Sequence, residues 1–169
     1  MRTLYVLRHA KSSWNDSDIS DFERPLNDRG ERAAPFMGEL MKDRGLLPDT
    51  IISSPARRAA ETAKLVREAL GSPREILFDE RIYEASPQTL RQVTAEADDA
   101  HASVMLVGHN PGIEGFIRML TGENVASPTA ALAVIVLDVA SWAEIAPGCG
   151  RLDTMIRPSD EMRTFTKGS

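Results

Sequence analysis

The sequence predicts an α/β fold, a three-layer αβα sandwich with a mostly parallel central sheet. Short apolar runs alternate along the chain with segments whose apolar residues recur at helical spacing, and the connections between them are short. Such alternation favours parallel strands with helices on both faces of the sheet. The length of 169 residues suits one core, so we predict a single domain over residues 1–169, with a frayed tail at residues 159–169.

The first elements follow from periodicity and from end signals. A first strand is expected at residues 4–7, an apolar run that contains two β-favouring residues. The polar segment 11–27 has no clear period, which is typical of a loop lying over a strand end. A first helix is then expected from a cap at Asn27 or Asp28 to a stop at Gly45.

The later elements repeat this alternation. A second strand at residues 49–54 leads into a second helix at Pro55, because proline suits the first turn and Ser54 suits the cap. Gly71 ends that helix. The remaining elements are a strand at 76–78, a helix at 89–97, a strand at 103–107, a helix that Pro111 opens and that runs to Leu120, and strands at 131–139 and 151–156.

Composition excludes several classes of protein. Hydrophobic residues make up 42% and charged residues 27%, which argues against disorder. The net charge of -5, with both signs interleaved, provides no basic footprint for nucleic acid. Cys149 is the only cysteine, so an internal disulfide and a cysteine-based zinc site are excluded. The longest apolar run, at residues 130–137, is far shorter than the ~20 residues of a membrane-spanning helix. We therefore expect a cytoplasmic protein.

Cationic and imidazole side chains follow three of the predicted strands. Arg8 and His9 follow the first strand, Arg58 lies at the start of the helix after the second, and His109 follows the fourth. If these strands are parallel neighbours, their carboxyl ends meet at one cleft. Guanidinium groups and a helix N-terminus bind phosphate oxygens well. The pattern therefore predicts a site for an oxyanion.

Three motifs in the same order carry a resemblance to a known family. Leu7-Arg8-His9-Ala10 is similar to an Arg-His-Gly signature, although alanine stands where glycine is usual. The segment 54–63 is similar to a Ser-Pro-x-x-Arg-Ala-x-x-Thr-Ala pattern, and 107–110 is similar to the segment with a second histidine. The chain thus resembles the histidine phosphatase superfamily, which is also called phosphoglycerate-mutase-like. The segment 21–30 and the short length look most like the SixA-type phosphohistidine phosphatases.

The resemblance implies a phosphoglycerate-mutase-like fold and a phosphatase that needs no metal and no cofactor. It implies that His9 attacks phosphorus and forms a transient phosphohistidine. It also implies that Arg8, Arg58 and His109 hold the phosphoryl oxygens in the transition state.

The general acid is the open part of this assignment. The resemblance points to Glu84, but Glu80 lies four residues earlier, and SixA-type members do not all keep an acid there. Glu84, Glu80 or neither therefore protonates the leaving group. Asn15 and Asn110 are expected as neutral donors in the same pocket.

Three functions are compatible with these residues. The substrate is expected to be phosphohistidine on a protein, for example a histidine phosphotransfer domain, or a small phosphomonoester. A mutase is the second possibility, and a non-catalytic module that binds phosphoproteins is the third. The retention of two histidines and a candidate acid argues against the module.

Some neighbouring residues have simpler interpretations. Trp14 is expected to pack in the core. Glu23 with Arg24, and Glu80 with Arg81, are expected to form exposed ion pairs, which contribute little to stability.

Overall fold

The computed structural model describes residues 1–162 of the chain. The strands are β1 (Arg2–Arg8), β2 (Thr50–Ser53), β3 (Ile76–Phe78), β4 (Ser103–Gly108), β5 (Leu132–Leu137) and β6 (Gly150–Ile156). The main helices are α1 (Asp28–Asp43), α2 (Arg57–Leu70), α3 (Pro87–Ala95) and α4 (Gly112–Thr121). Every strand and helix expected from the sequence is present within two or three residues of its predicted position.

The strands form one sheet in the order β3-β2-β4-β1-β5-β6. β1, β2, β3 and β4 run parallel, whereas β5 and β6 are antiparallel to their neighbours. In the register of the sheet, Arg8 lies opposite Gly108, and Ser53 lies opposite Val107. The carboxyl ends of β2, β4 and β1 therefore lie side by side at one edge of the sheet.

Alternating side chains of the central strands build a core on each face. Leu4 and Val6 of β1 belong to a buried cluster that includes residues of α3 and α4. Tyr5 and Leu7 belong to a second cluster that includes residues of α1 and α2. This period of two, with helices over both faces, confirms the predicted three-layer sandwich with a mostly parallel sheet.

The helix ends follow the sequence signals in one case and depart from them in another. The Gly30 amide donates to Asn27 Oδ1 at 2.9 Å, so Asn27 is the cap of α1. The prediction of Ser54 as the cap of α2 is wrong, because Ala56 occupies the cap position without a side-chain bond. The Ser54 hydroxyl instead accepts from the Ala56 amide and bonds to His109.

The first part of the tail predicted to fray, residues 159–162, lies in the described part of the chain. Residues 158–162 are helical, and Pro158 is buried. The rest of the predicted tail, residues 163–169, lies outside the described residues. Within residues 1–162, no helix is both long enough and apolar enough to cross a membrane.

Candidate active site

Two histidines and two arginines meet at the carboxyl edge of the parallel strands. Arg8 and His9 leave β1, His109 leaves β4, and Arg58 lies in the first turn of α2. The rings of His9 and His109 are 5.1 Å apart between centroids. His9 is 6% exposed, Arg58 6% and His109 9%. The structure therefore brings these four predicted residues to one buried site.

Local hydrogen bonds fix the orientation of His9. Its Nδ1 lies 2.8 Å from the carbonyl oxygen of Ala10, and a carbonyl only accepts, so Nδ1 carries the proton. Nε2 is then the nitrogen with a free lone pair. The Ala10 amide donates to Thr62 Oγ1 at 2.9 Å, and Thr62 Oγ1 donates to the Arg58 carbonyl at 2.7 Å. Ala10 is outside the left-handed region of φ, so its side chain is accommodated without backbone strain.

Burial keeps both histidines neutral. Desolvation is the largest cause that lowers the pKa of His9, and the charges of His109, Arg58 and Arg8 act in the same direction. The hydrogen bond to the Ala10 carbonyl opposes them, and the resulting pKa is about 3. Desolvation, followed by the charge of Arg58, lowers the pKa of His109 to about 4. Near pH 7, His9 is therefore an unprotonated imidazole that can act as a nucleophile.

His109 presents a donor to the same site. Its Nε2 lies 2.8 Å from Ser54 Oγ, which already accepts from the Ala56 amide. Ser54 Oγ has a further lone pair and a hydrogen, so either atom can donate in this bond. With Ser54 as the donor, a neutral His109 carries its proton on Nδ1. This Nδ1 is buried and has no partner among the described residues.

The arginines carry further buried donors without partners. Arg8 Nε and Arg58 Nε are both buried and unbonded in the described part of the chain. Buried N–H groups of native proteins are nearly always paired, so unpaired ones need an explanation such as a missing ligand. With His109 Nδ1 they form a positively charged set of donors, which suits a tetrahedral oxyanion. Among residues 1–162, no group of three His, Cys, Asp or Glu side chains is placed to hold a metal ion.

Asp21 is a member of the site that the sequence interpretation missed. Arg58 donates to Asp21 Oδ2 at 3.0 Å and to its carbonyl at 2.7 Å. The Tyr83 hydroxyl donates to Asp21 Oδ2 at 2.6 Å, and Arg24 lies 3.0 Å from Asp21 Oδ1. The hydrogen bond from Tyr83, followed by those of the arginines, holds the pKa of Asp21 well below its usual range. Asp21 therefore fixes the guanidinium of Arg58 from the outer side.

Tyr83 forms an aromatic wall of the site. Its ring stands edge-on to His109 at 5.6 Å and to Phe22 at 5.2 Å between centroids. The hydrogen bond to Asp21 raises the pKa of Tyr83 to about 12, so its phenol stays protonated. The only sequence signal for this network was the segment 21–30, in which the resemblance gave Asp21 no role.

The two candidate acids are both exposed. Glu84 is exposed, and its φ of 55° is in the left-handed region, which is unusual for a residue with a side chain. Glu80 is also exposed. The predicted pair of Glu80 with Arg81 is wrong, because Arg81 binds Asp79 and Glu96, each at 2.8 Å.

The two predicted asparagines have different surroundings. Asn15 lies in an exposed part of the loop between β1 and α1. The Asn110 amide donates to Glu114 Oε1 at 3.0 Å and to the Ser127 carbonyl at 3.1 Å. Since Arg8 also donates to the Ser127 carbonyl, at 3.1 Å, Asn110 supports the loop that holds Arg8. Direct donation from either asparagine to an anion stays a prediction.

Two expectations for the loop between β1 and α1 are wrong. Trp14 is 75% exposed and stacks on the Arg24 guanidinium at 3.7 Å from the ring centroid, so it is not a core residue. Arg24 pairs with Asp21 and not with Glu23: Arg24 directly follows the tight turn over Asp21–Glu23, and its guanidinium lies 3.0 Å from Asp21 Oδ1. The Arg24 guanidinium also bonds to the Ser12 hydroxyl, which ties both ends of the loop together.

Comparison with known proteins gives concordant results. A family model described as the histidine phosphatase superfamily (branch 1) matches residues 4–105. A crystal structure from Agrobacterium tumefaciens, assigned as the phosphohistidine phosphatase SixA, has a TM-score of 0.80 at 31% identity and covers 93% of this chain and 98% of that chain. An uncharacterized protein of Mycobacterium tuberculosis is 30% identical over 156 residues, which are 86% of this chain and 96% of that protein. A 2,3-bisphosphoglycerate-dependent phosphoglycerate mutase of Streptomyces avermitilis is 43% identical over 68 residues, which are 39% of this chain and 27% of the mutase. These similarities support a phosphatase.

Proposed function

Because the chain belongs to the histidine phosphatase superfamily, we propose that it is a metal-independent phosphatase that works through a phosphohistidine on His9. One observation carries the proposal: a neutral imidazole with a free Nε2 lies beside buried, unpaired donors of Arg8, Arg58 and His109. A nucleophile next to anion donors that have no protein partner is the arrangement that phosphoryl transfer needs.

In the first step, His9 Nε2 attacks phosphorus as the bond from phosphorus to the leaving group breaks. The imidazole gains positive charge, and the hydrogen bond from Nδ1 to the Ala10 carbonyl strengthens as it does so. Arg8 and Arg58 supply the positive charge that a metal ion provides in other phosphoryl-transfer sites. The leaving group takes its proton from Glu84 or from water.

In the second step, water attacks the phosphohistidine and the bond from phosphorus to Nε2 breaks. His9 returns to its neutral form with the proton on Nδ1. The hydroxyl of the attacking water stays on phosphorus, and its other proton goes to a base or to solvent. Inorganic phosphate then leaves the site. The same carboxylate that protonated the leaving group is suited to accept that proton.

The favoured substrate is phosphohistidine on a protein. A chain of two residues, Ala85 and Ser86, joins Glu84 to α3, so no inserted segment covers this side of the site. An uncovered site suits a phosphoryl group that projects from a protein surface. The likeness to the Agrobacterium structure assigned as SixA supports the same substrate class. A small phosphomonoester is the alternative, and the similarity to a mutase covers too little of either chain to favour phosphate exchange.

The test compares p-nitrophenyl phosphate with a phosphorylated histidine phosphotransfer domain, both in excess EDTA. We expect turnover of both by the parent protein, a higher kcat/KM for the protein substrate, and none by His9→Ala. Binding without turnover would support the phosphoprotein-binding module instead. Loss of activity in EDTA would overturn metal independence, and turnover by His9→Ala would overturn the proposed mechanism.

A further inference from the structure

A basic cleft lies beside the proposed active site. Its volume is about 420 Å³, and its lining includes Lys11, Arg29 and Arg32. No aspartate or glutamate is among the described residues that line it, although the chain as a whole carries a net charge of -5. The cleft is therefore a local concentration of positive charge on an acidic protein.

The three cations are available to a partner. Lys11, Arg29 and Arg32 are all exposed, and none of them makes an ion pair within residues 1–162. Arg29 and Arg32 are three positions apart on α1, so their side chains emerge from the same face of the helix. Within residues 1–162, no carboxylate oxygen lies within ion-pair distance of these three cations.

The cleft is rigidly connected to the site. Lys11 follows His9 by two residues, and its carbonyl accepts from the Asn27 amide at 3.0 Å. A Cβ on Gly30 would lie 2.1 Å from that carbonyl, so the start of α1 is packed directly on the backbone of Lys11. The opposite wall includes Pro128, which follows the Ser127 whose carbonyl holds Arg8. The backbone that carries the cations is therefore anchored next to the backbone that carries His9 and Arg8.

We propose that this cleft, lined by Lys11, Arg29 and Arg32, binds acidic side chains next to the phosphorylated residue of a protein substrate. The inference rests on the proposed phosphatase function, and it adds that the protein substrate is acidic next to its phosphorylated residue. An acidic phosphoprotein is repelled by the net charge of -5, and three unpaired cations at the entrance reverse that repulsion locally. A small phosphomonoester does not extend from His9 into the cleft and gains nothing from it.

The test uses peptides in which phosphohistidine is flanked either by aspartates or by lysines, with p-nitrophenyl phosphate as the small substrate. We expect kcat/KM to be roughly tenfold higher for the aspartate-flanked peptide at low salt, and the preference to shrink as salt screens the charges. The variant carrying Arg29→Glu and Arg32→Glu should lose the preference and keep its activity on p-nitrophenyl phosphate. This variant should fold, because acidic residues are favoured near the N-terminus of a helix.

The matched control carries Lys64→Glu and Arg151→Glu, which change the net charge equally at exposed positions outside the cleft. It should keep the preference for aspartate. An equal loss in both double variants, or no preference in the parent, would overturn the inference while leaving the phosphatase proposal intact.

A binding measurement separates the inference from the proposed function. Fluorescence anisotropy of the labelled aspartate-flanked peptide on His9→Ala requires no turnover. Addition of Arg29→Glu and Arg32→Glu to this variant should weaken its binding of the peptide, which would support the cleft. This result would stand even if the parent protein hydrolysed no phosphorylated probe, in which case only the phosphatase proposal would fail. Unchanged binding contradicts the cleft.

Discussion

At the scale of single residues, the tautomer and orientation of His9 are determined by the neighbouring residue in the chain. The Ala10 carbonyl that accepts from Nδ1 belongs to the very next residue, so the tautomer depends on local backbone and not on a distant partner. Burial then removes the competing protonated form by lowering the pKa of His9 to about 3. The nucleophile is thus oriented and uncharged before a substrate arrives.

The residue-scale prediction concerns the leaving group. We expect Glu84→Gln to lower kcat for an alkyl phosphate by about 10²-fold, because an alkoxide needs a proton as it departs. Release of nitrophenolate in the first turnover of p-nitrophenyl phosphate should be nearly unchanged, since nitrophenolate leaves without a proton and the second step is not yet involved. Single-turnover kinetics on both substrates check this.

Glu80→Gln is the matched control, because Glu80 is also an exposed carboxylate and lies four residues before Glu84. If it alone gives the selective loss, Glu80 is the acid. If neither variant does so, no carboxylate of this segment protonates the leaving group.

The sequence could predict residues that stand directly at the ends of elements, and it could not predict those held by loops. Arg8, His9 and His109 follow strands whose carboxyl ends had to converge, and Arg58 opens a helix. Asp21 reaches Arg58 across 37 positions from a polar segment without a period, so no pattern indicated the contact. The stacking of Trp14 on Arg24 was missed for the same reason.

At the scale of elements, α2 holds the end of β1 in place. Thr62 lies one turn after Arg58, and its hydroxyl joins the Arg58 carbonyl to the Ala10 amide. The helix that carries a phosphate-binding arginine is therefore bonded to the backbone that orients the nucleophile. Ser54 makes the corresponding link from the end of β2 to His109, which is why it does not act as a helix cap.

The element-scale prediction tests this link. Thr62→Val keeps the shape of the side chain but leaves the buried Ala10 amide unpaired, so we expect a loss of about 1–3 kcal/mol in the free energy of unfolding. We also expect a lower kcat, because the Ala10 carbonyl becomes less well held. Urea unfolding and steady-state kinetics measure the two effects.

Thr62→Ser is the control, since it keeps the hydroxyl and removes only a methyl group. It should keep most of the kcat of the parent protein. Equal losses of kcat in the valine and serine variants would show that the hydroxyl does not position the site.

At the scale of the whole molecule, the two buried histidines of the site make the folded state less stable at low pH. Two imidazoles, His9 and His109, are buried among cations and stay neutral down to pKa values of about 3 and about 4. The unfolded chain exposes the same groups with an ordinary pKa near 6.5. Below that pH the unfolded state binds more protons than the folded state, so acid favours unfolding.

We therefore expect the free energy of unfolding to fall as pH is lowered from 6.5 to 4.5, with a limiting slope of about 1.4 kcal/mol per pH unit for each of the two histidines. The sign follows from folded pKa values that lie below the unfolded ones. Urea unfolding at several pH values measures the slope, and His9→Gln should remove about half of it. A flat profile in this range would contradict the neutral, buried state of the histidines.

The overall architecture was the most predictable level. Alternating strand and helix periods predicted a mostly parallel sheet between two helical layers, because that arrangement buries the apolar faces of both kinds of element. The basic cleft was not predictable, because Lys11 and Arg29 are brought together by the packing of Gly30 on the Lys11 backbone. Contacts of that kind are determined by tertiary structure and leave no period in the sequence.

The central claim is that His9 Nε2 carries the phosphoryl group during turnover. The direct measurement is to mix the protein with substrate, quench the reaction rapidly without acid, and analyse the trapped intermediate by phosphorus NMR and mass spectrometry. The account predicts a single acid-labile phosphohistidine at position 9, substituted on Nε2, because Nδ1 donates to the Ala10 carbonyl. A phosphoryl group on Nδ1 of His9 or on His109, or turnover with no phosphoenzyme, would contradict it.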